Sequence, residues 1–291
     1  MEDISARLTS DVFEFIVIFG RRRVGKTRLV LESVKEMDHI YYLATMKDNL
    51  KEFRNEVSDR VPEIMHSAED WISTIRLLKD RIVILDEFPY MIREDPSLTS
   101  IFQKIIDSDL ADTRTKLIIL GSSITMMTDQ VMNYTSPLYG RRTSTIDLGP
   151  LRFSDLIEYY PDCGIEDLCL SFAISDGIPY YMEKVQPPIW SWLDREMRKT
   201  DTFLKEEVDF LLKYEFTDHG NYKKILNAIA HGRNKPSEIR NHCGMKHADI
   251  MPYLRNLMNV RLVKRELPIG ASERSKSGRY FLSDNLLAFW F

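Results

Sequence analysis

The chain has 291 residues, 44% hydrophobic and 29% charged, with a net charge of −4. These values suit a soluble globular protein of two or three modules. No apolar run is long enough to span a bilayer and no signal peptide opens the sequence, so a membrane partner is not expected and the expected compartment is the cytoplasm. Cys163, Cys169 and Cys243 are too widely spaced for a disulfide framework and read as buried thiols, and the six histidines have no metal-ligand spacing. The charge is unevenly placed. Residues 219–291 hold 13 Lys and Arg against 5 Asp and Glu, leaving 27 against 39 in residues 1–218. A basic tail on an acidic body points to an anionic partner, or to docking between the two.

The first element is a continuous apolar run, VFEFIVIFG (residues 12–20), the pattern of a buried strand. FGRRRVGKTRL (residues 19–29) follows, in which Gly20, Gly25, Lys26 and Thr27 fit the phosphate-loop spacing G-x-x-x-x-G-K-[ST]. Glycines at both ends let the backbone wrap a phosphate without Cβ clashes, and the positive end of the next helix adds to the loop N–H groups. Lys26 would reach the β and γ phosphates, and Thr27 would place its hydroxyl on Mg²⁺. Apolar residues at 29, 30, 34 and 37 predict a helix over 26–37. Arg21, Arg22, Arg23 and Val24 fill the free positions of the loop, and Arg28 lies just beyond it. The arginines either pair with acids elsewhere or touch the nucleotide.

A strand is predicted around 39–44, then helices around 48–58 and 69–79. RIVILDEFPYM (residues 81–91) is an apolar strand ending in Asp86 and Glu87. Any strand can leave a core through two acids. After a phosphate loop, however, Asp86 gains a role in the Mg²⁺ shell and Glu87 as the base that polarises water. A helix around 97–109 precedes KLIILGSS (residues 116–123), which would deliver Ser122 or Ser123 to the γ-phosphate. Capping the next helix is the alternative, preferred for Ser123. A strand around 144–148 completes five. Strands alternating with helices imply an α/β fold, a parallel sheet with helices on both faces. The acid-bearing strand is expected beside the phosphate-loop strand.

SPLYGRRTSTIDLGPLRFSDLIEYY (residues 136–160) follows no physical rule. Together with GRRRVGKTRL, LDEFPYM, LGSSITMM, SDGIPYYMEKV (175–185), YKKILNAIAHGRNKPSEI (222–239) and YFLSDNLLAFWF (280–291), it resembles the archaeal-type ATPase family, within the AAA+-like STAND class of switch ATPases. The resemblance runs from about residue 13 to the end of the sequence. It implies that Arg141 or Arg142, matching the family's paired arginines, lies near the γ-phosphate as a finger or sensor. It also implies that Pro179, in the motif Gly177-x-Pro179, couples a helical lid to the nucleotide state. A simple turn would favour the same two residue types. The sequence departs from the family in two places. Arg7 and Leu8 are a remnant of the segment that helps hold the base. Relatives also continue past FWF into a nuclease-like domain; here that domain is either absent or the chain is shortened, and no nuclease activity is carried over.

The expected organisation is a P-loop NTPase domain (1–150), an α-helical lid (151–217) and a winged-helix domain (218–291). In the lid, Ser154 can cap the first helix, Pro161 closes it, and the pairs Tyr159–Tyr160 and Tyr180–Tyr181 read as core. In the last module, helices near 222–231, from 236, and over 247–259 precede two strands flanking the wing PIGASERSKS. The third helix carries His247, Asp249, Tyr253, Arg255 and Asn256, and the wing region carries Arg274, Lys276 and Arg279. This module is either a DNA reader or an internal clamp. The expected function is an ATPase switch using ATP/ADP and Mg²⁺. The alternative is a DNA-binding regulator in which ATP only sets conformation. A protein effector and an oligomer are compatible with either.

Overall fold

The computed structural model describes residues 2–245, 249–272, 275 and 277–291. They form two compact units, Met1–Gly149 and Pro150–Phe291.

The first unit is built on five strands: β1 (Glu14–Phe19), β2 (His39–Leu43), β3 (Ile82–Asp86), β4 (Lys116–Gly121) and β5 (Ser144–Asp147). All neighbours pair in parallel, in the order β2-β3-β4-β1-β5. Every residue of β1, β3 and β4 is buried, as a sheet covered on both faces requires. The two-residue period of the strands divides the core. Phe15, Val17, Leu85, Leu117 and Ile119 face one layer, with Phe53, Trp71, Phe88 and Phe102 from helices α3 (Asn49–Ser58), α4 (Trp71–Arg76), α5 (Phe88–Glu94) and α6 (Leu98–Ile105). Ile16, Ile18, Ile84, Ile118 and Leu120 face the other, with Ile4 and Leu8 of α1 (Glu2–Leu8) and Val30 of α2 (Lys26–Ser33).

Two expectations need correction. The acid-bearing β3 is not beside β1, because β4 lies between them, pairing Phe19 with Gly121 on one side and Leu85 with Ile119 on the other. The three strands are equally apolar, so their sequences carry no signal for which is central. Helix α2 ends at Ser33 rather than 37. Val34 is fully buried, and the Met37 amide donates to its carbonyl at 2.8 Å, turning the chain back toward β2.

The second unit begins with α8 (Phe153–Tyr159), after the short α7 (Ile124–Met126) of the first. Its cap is Arg152, whose amide donates to Asp155 Oδ2 at 2.8 Å; Ser154 lies inside the helix instead of capping it. Helices α9 (Ile165–Ser175), α10 (Pro179–Lys184), α11 (Ile189–Arg198) and α12 (Phe203–Glu215) follow. Tyr181 is core, donating to Glu207 Oε1 at 3.0 Å, and the Tyr160 hydroxyl donates to the Met182 carbonyl at 2.6 Å. Next come α13 (His219–Ala230), α14 (Pro236–His242), α15 (Met251–Asn259), the antiparallel pair β6 (Val263–Glu266) and β7 (Arg279–Leu282), and α16 (Asn285–Trp290). Leu286 of α16 belongs to the cluster of Ile174, Ile178 and Ile189, while Leu287 belongs to that of Ile225, Leu254 and Val263. One short helix thus closes two apolar clusters into a single unit. Cys163 and Cys243 are half-buried, but Cys169 is exposed, against the expectation of buried thiols. Among the described residues no helix is long and apolar enough to cross a membrane.

Candidate nucleotide-binding site

The segment after β1 is a wrapped loop. Gly20 has φ +154°, and a Cβ there would sit 2.2 Å from the Leu148 carbonyl oxygen, so no side chain fits. Gly25 has φ 91° and Arg23 φ 73°, both in the left-handed region. The buried Lys26 curls back over this loop, its Nζ donating to the carbonyls of Gly20 at 2.9 Å and Arg21 at 3.1 Å. An ammonium held inside a loop of this curvature, at the start of an eight-residue helix, is the arrangement a phosphate needs. Val24 packs inward at 4% exposure, Arg21 is buried, and Arg28 is exposed on α2.

Asp86 ends β3 and is 2% exposed. Its Oδ2 accepts from the Thr27 hydroxyl at 2.5 Å and from the Tyr41 hydroxyl at 3.0 Å, and its Oδ1 accepts from the Glu87 amide at 2.8 Å. Thr27 and Asp86, expected to share a cation, thus touch directly. Nothing in the sequence singles out Tyr41 of β2. HIYYL reads as ordinary strand aromatics, and only the parallel pairing of β2 with β3 brings this hydroxyl to the acid. Burial, and then the charge of Asp86, push the Tyr41 hydroxyl well above the usual tyrosine range, so it stays a donor.

Glu87 follows with φ 53°, a strained backbone for a residue with a Cβ. Its Oε1 accepts from the Ser122 hydroxyl at 2.6 Å and its Oε2 from the Ser122 amide at 3.2 Å. Arg22 Nη2 lies 3.7 Å from Oε1 and donates to the Tyr90 hydroxyl at 3.3 Å. The placement of β4 between β1 and β3 explains this: Ser122 leaves the sheet between the phosphate loop and the acids. Ser123 caps the following helix, accepting from the Met126 amide.

Arg141 and Arg142 are not brought to this loop. They precede β5, whose Ser144 is level with Ile16, whereas the loop begins after Phe19. At ~3.3 Å per strand residue, the arginines are roughly 13 Å or more of strand away, at the other end of the sheet. Arg141 Nε and Nη2 donate to Asp107 at 2.8 and 2.7 Å, and these bonds hold the Asp107 carboxyl below its usual range. Arg142 donates to Thr145 Oγ1 at 3.2 Å and lies over the Tyr139 ring. Pro179 opens α10 in the second unit. Before it, Gly177 has φ +67°, and a Cβ there would meet the Leu151 carbonyl oxygen at 2.0 Å.

A cavity of about 630 Å³ beside α3 and α4, lined by Asn49, Arg54, Trp71, Met91, Glu94 and Asp95, is a different place. Its buried polar groups are already used: Asn49 Oδ1 accepts from the Tyr42 hydroxyl and the Thr45 amide, and Arg54 donates to the Ile64 and Ala68 carbonyls. Among the described residues no group of three or more His, Cys, Asp or Glu could hold a metal unaided. A cation at Thr27 and Asp86 would therefore share its coordination with phosphate oxygens and water.

A phosphate loop after the first strand, with acids two strands away and a serine between them, defines a P-loop nucleotide-binding fold. The chain matches the family described as "ATPase domain predominantly from Archaea" over residues 1–185, and it belongs to that family. It is 50% identical over 291 residues to Uncharacterized protein MJECL04 of Methanocaldococcus jannaschii, covering 100% of this chain and 66% of that protein's length. Uncharacterized protein MJ0424 of the same organism is 37% identical over 87 residues, 27% of this chain and 84% of its own. Among solved structures, the Walker-type ATPase PABY2304 of Pyrococcus abyssi superposes with a TM-score of 0.70 at 20% identity, over 99% of this chain and 94% of its own. The likeness extends the shared fold through both units.

Proposed function

We propose that the chain hydrolyses ATP to ADP with Mg²⁺ and acts as a nucleotide-dependent switch in the cytoplasm. The observation that carries this reading is the convergence of Lys26, Thr27, Asp86, Glu87 and Ser122 from three loops at one end of the sheet. Lys26 leaves the loop carbonyls for the β and γ phosphate oxygens, exchanging two neutral acceptors for charged ones. Thr27 and Asp86 fit a divalent cation, which when bound would neutralise charge on the phosphates. Tyr41 and the Glu87 amide keep the Asp86 carboxylate oriented. Glu87 takes the proton of the attacking water, and Ser122 holds the carboxylate toward that water. Arg141 or Arg142, placed at the far end of the sheet, would serve as a phosphate sensor only on another chain's nucleotide, which calls for an oligomer.

In this reading residues 151–217 are the lid and 218–291 a winged-helix module. Gly177 and Pro179 couple the lid to the nucleotide state. The test of hydrolysis is Glu87→Gln. ATP binding should persist while single-turnover hydrolysis slows ~10²-fold or more, because water loses its base. Unchanged turnover would assign that step to another residue and remove Glu87 from the mechanism.

A further inference from the structure

We infer that a basic cleft in the second unit binds the phosphodiester backbone of a nucleic acid, using Arg255 and Arg279 as its two anchoring charges. The cleft, about 630 Å³, lies between the start of α14, one side of α15 and the β6–β7 ribbon. Its charged lining among the described residues is Lys235, Arg255, Arg265 and Arg279, with no carboxylate among them. Gly278 gives Arg265 room across the ribbon, since a Cβ there would stand 2.4 Å from its Nε.

The module's described acids engage groups other than Arg255 and Arg279, although Glu238 meets the cleft's own Lys235 and Glu266 stands opposite Arg279 in the ribbon. Glu238 pairs with Lys235 at 3.2 Å, Glu266 pairs with Lys264 at 2.8 Å, Asp249 accepts from the Met251 amide, and the buried Asp284 caps α16; Glu273 lies outside the described residues. The other polar side chains expected to reach outward from the third helix are also used inside the fold. Tyr253 donates to Asp218 Oδ2 at 3.0 Å and Asn256 to the Tyr222 hydroxyl at 2.7 Å, while His247, Arg274 and Lys276 lie outside the described residues. Arg265 donates to the Ser275 carbonyl. The side chains of Arg255 and Arg279 make no hydrogen bond or ion pair among the described residues.

Two guanidinium groups without a direct side-chain partner among the described residues, facing one cleft over a partly apolar lining of Met251, Met258 and Tyr280, suit a phosphate with its sugar. A peptide would also need acceptors for its N–H groups, and the lining offers mostly donors. This inference does not rest on ATP hydrolysis.

The experiment is anisotropy of labelled single-stranded and double-stranded DNA with the full chain over a salt series, for wild type and for Arg255→Ala/Arg279→Ala. Wild type should bind at low salt, and the double variant should bind about tenfold or more weakly, with the log–log salt slope flatter by about 2. The Arg255→Lys/Arg279→Lys variant should recover most of the affinity, and nucleotide affinity at the phosphate loop should not change. The inference fails if wild type binds neither DNA, or if the double variant binds as wild type does. It fails equally if inorganic phosphate or polyglutamate displaces DNA at matched charge concentration, which would assign the cleft to a free anion or an acidic protein segment.

Discussion

The two units use polar residues in opposite ways. In residues 1–149, charged and hydroxyl groups leave the ends of buried strands and point at one another: Lys26 into its own loop, Thr27 and Tyr41 onto Asp86, Ser122 onto Glu87. In residues 150–291, polar groups mostly tie helices together, as with Tyr160 on the Met182 carbonyl, Tyr181 on Glu207 and Asn256 on Tyr222. The lesson is one of geometry. A parallel sheet gathers the ends of several strands into one place, so a few loop residues become a reactive cluster. A helical assembly spreads its polar groups over many contacts, and what is left for function is the residue with no internal partner.

That contrast predicts where substitutions act on chemistry and where they act on shape. The largest effect belongs to Lys26→Ala. Losing a charge-assisted phosphate contact costs about 2–4 kcal/mol, a drop in ATP affinity of roughly 30-fold to several hundredfold by calorimetry, with little change in melting temperature. Gly177→Ala should do the reverse. Its positive φ and the 2.0 Å approach to the Leu151 carbonyl leave no place for a methyl, so the second unit should lose about 1–3 kcal/mol in chemical denaturation. Calorimetry of the same protein should still detect ATP binding, with a far smaller loss than Lys26→Ala causes, because the phosphate loop itself is untouched. A fully stable Gly177→Ala protein would show that the loop yields easily. The smallest effect is that of Tyr41→Phe, which removes one of two hydroxyl donors on Asp86 Oδ2. About 0.5–1.5 kcal/mol is at stake, so Mg²⁺ affinity of the ATP-bound protein should fall several-fold, while ATP affinity without Mg²⁺ stays constant. Equal losses with and without the metal would place Tyr41 in packing instead.

How much of this could be read from the chain divides along the same line. Gly20, Gly25, Lys26 and Thr27 announce a loop because their spacing is fixed by the phosphate they surround. The apolar runs around them announce buried strands. What the runs do not encode is lateral order: β1, β3 and β4 are interchangeable in composition, and the position of β4 is set by which strand edges pair. Tyr41 was illegible for the same reason, since its value comes from a neighbour 45 residues away. The resemblance implies that Arg141 or Arg142 lies near the γ-phosphate, but the parallel register puts both at the opposite end of the sheet. In the second unit the helical character of residues 151–217 is legible, but not its division into separate helices. The capping role of Arg152 is not legible either, because Ser154 is the better intrinsic cap and only the Asp155 contact decides against it.

The proposed switch is tested most directly by hydrogen exchange across residues 218–291 in the empty, ADP-bound and ATP-bound protein, with Glu87→Gln used to hold the ATP state. A ligand moves an equilibrium only by its differential affinity for the two states, so a working switch requires protection in this segment to differ between ATP and ADP. The predicted result is such a difference, diminished when Pro179 is replaced by Ala. Identical protection in all three forms, with nucleotide demonstrably bound, would contradict it and leave an ATPase whose nucleotide state never reaches the tail.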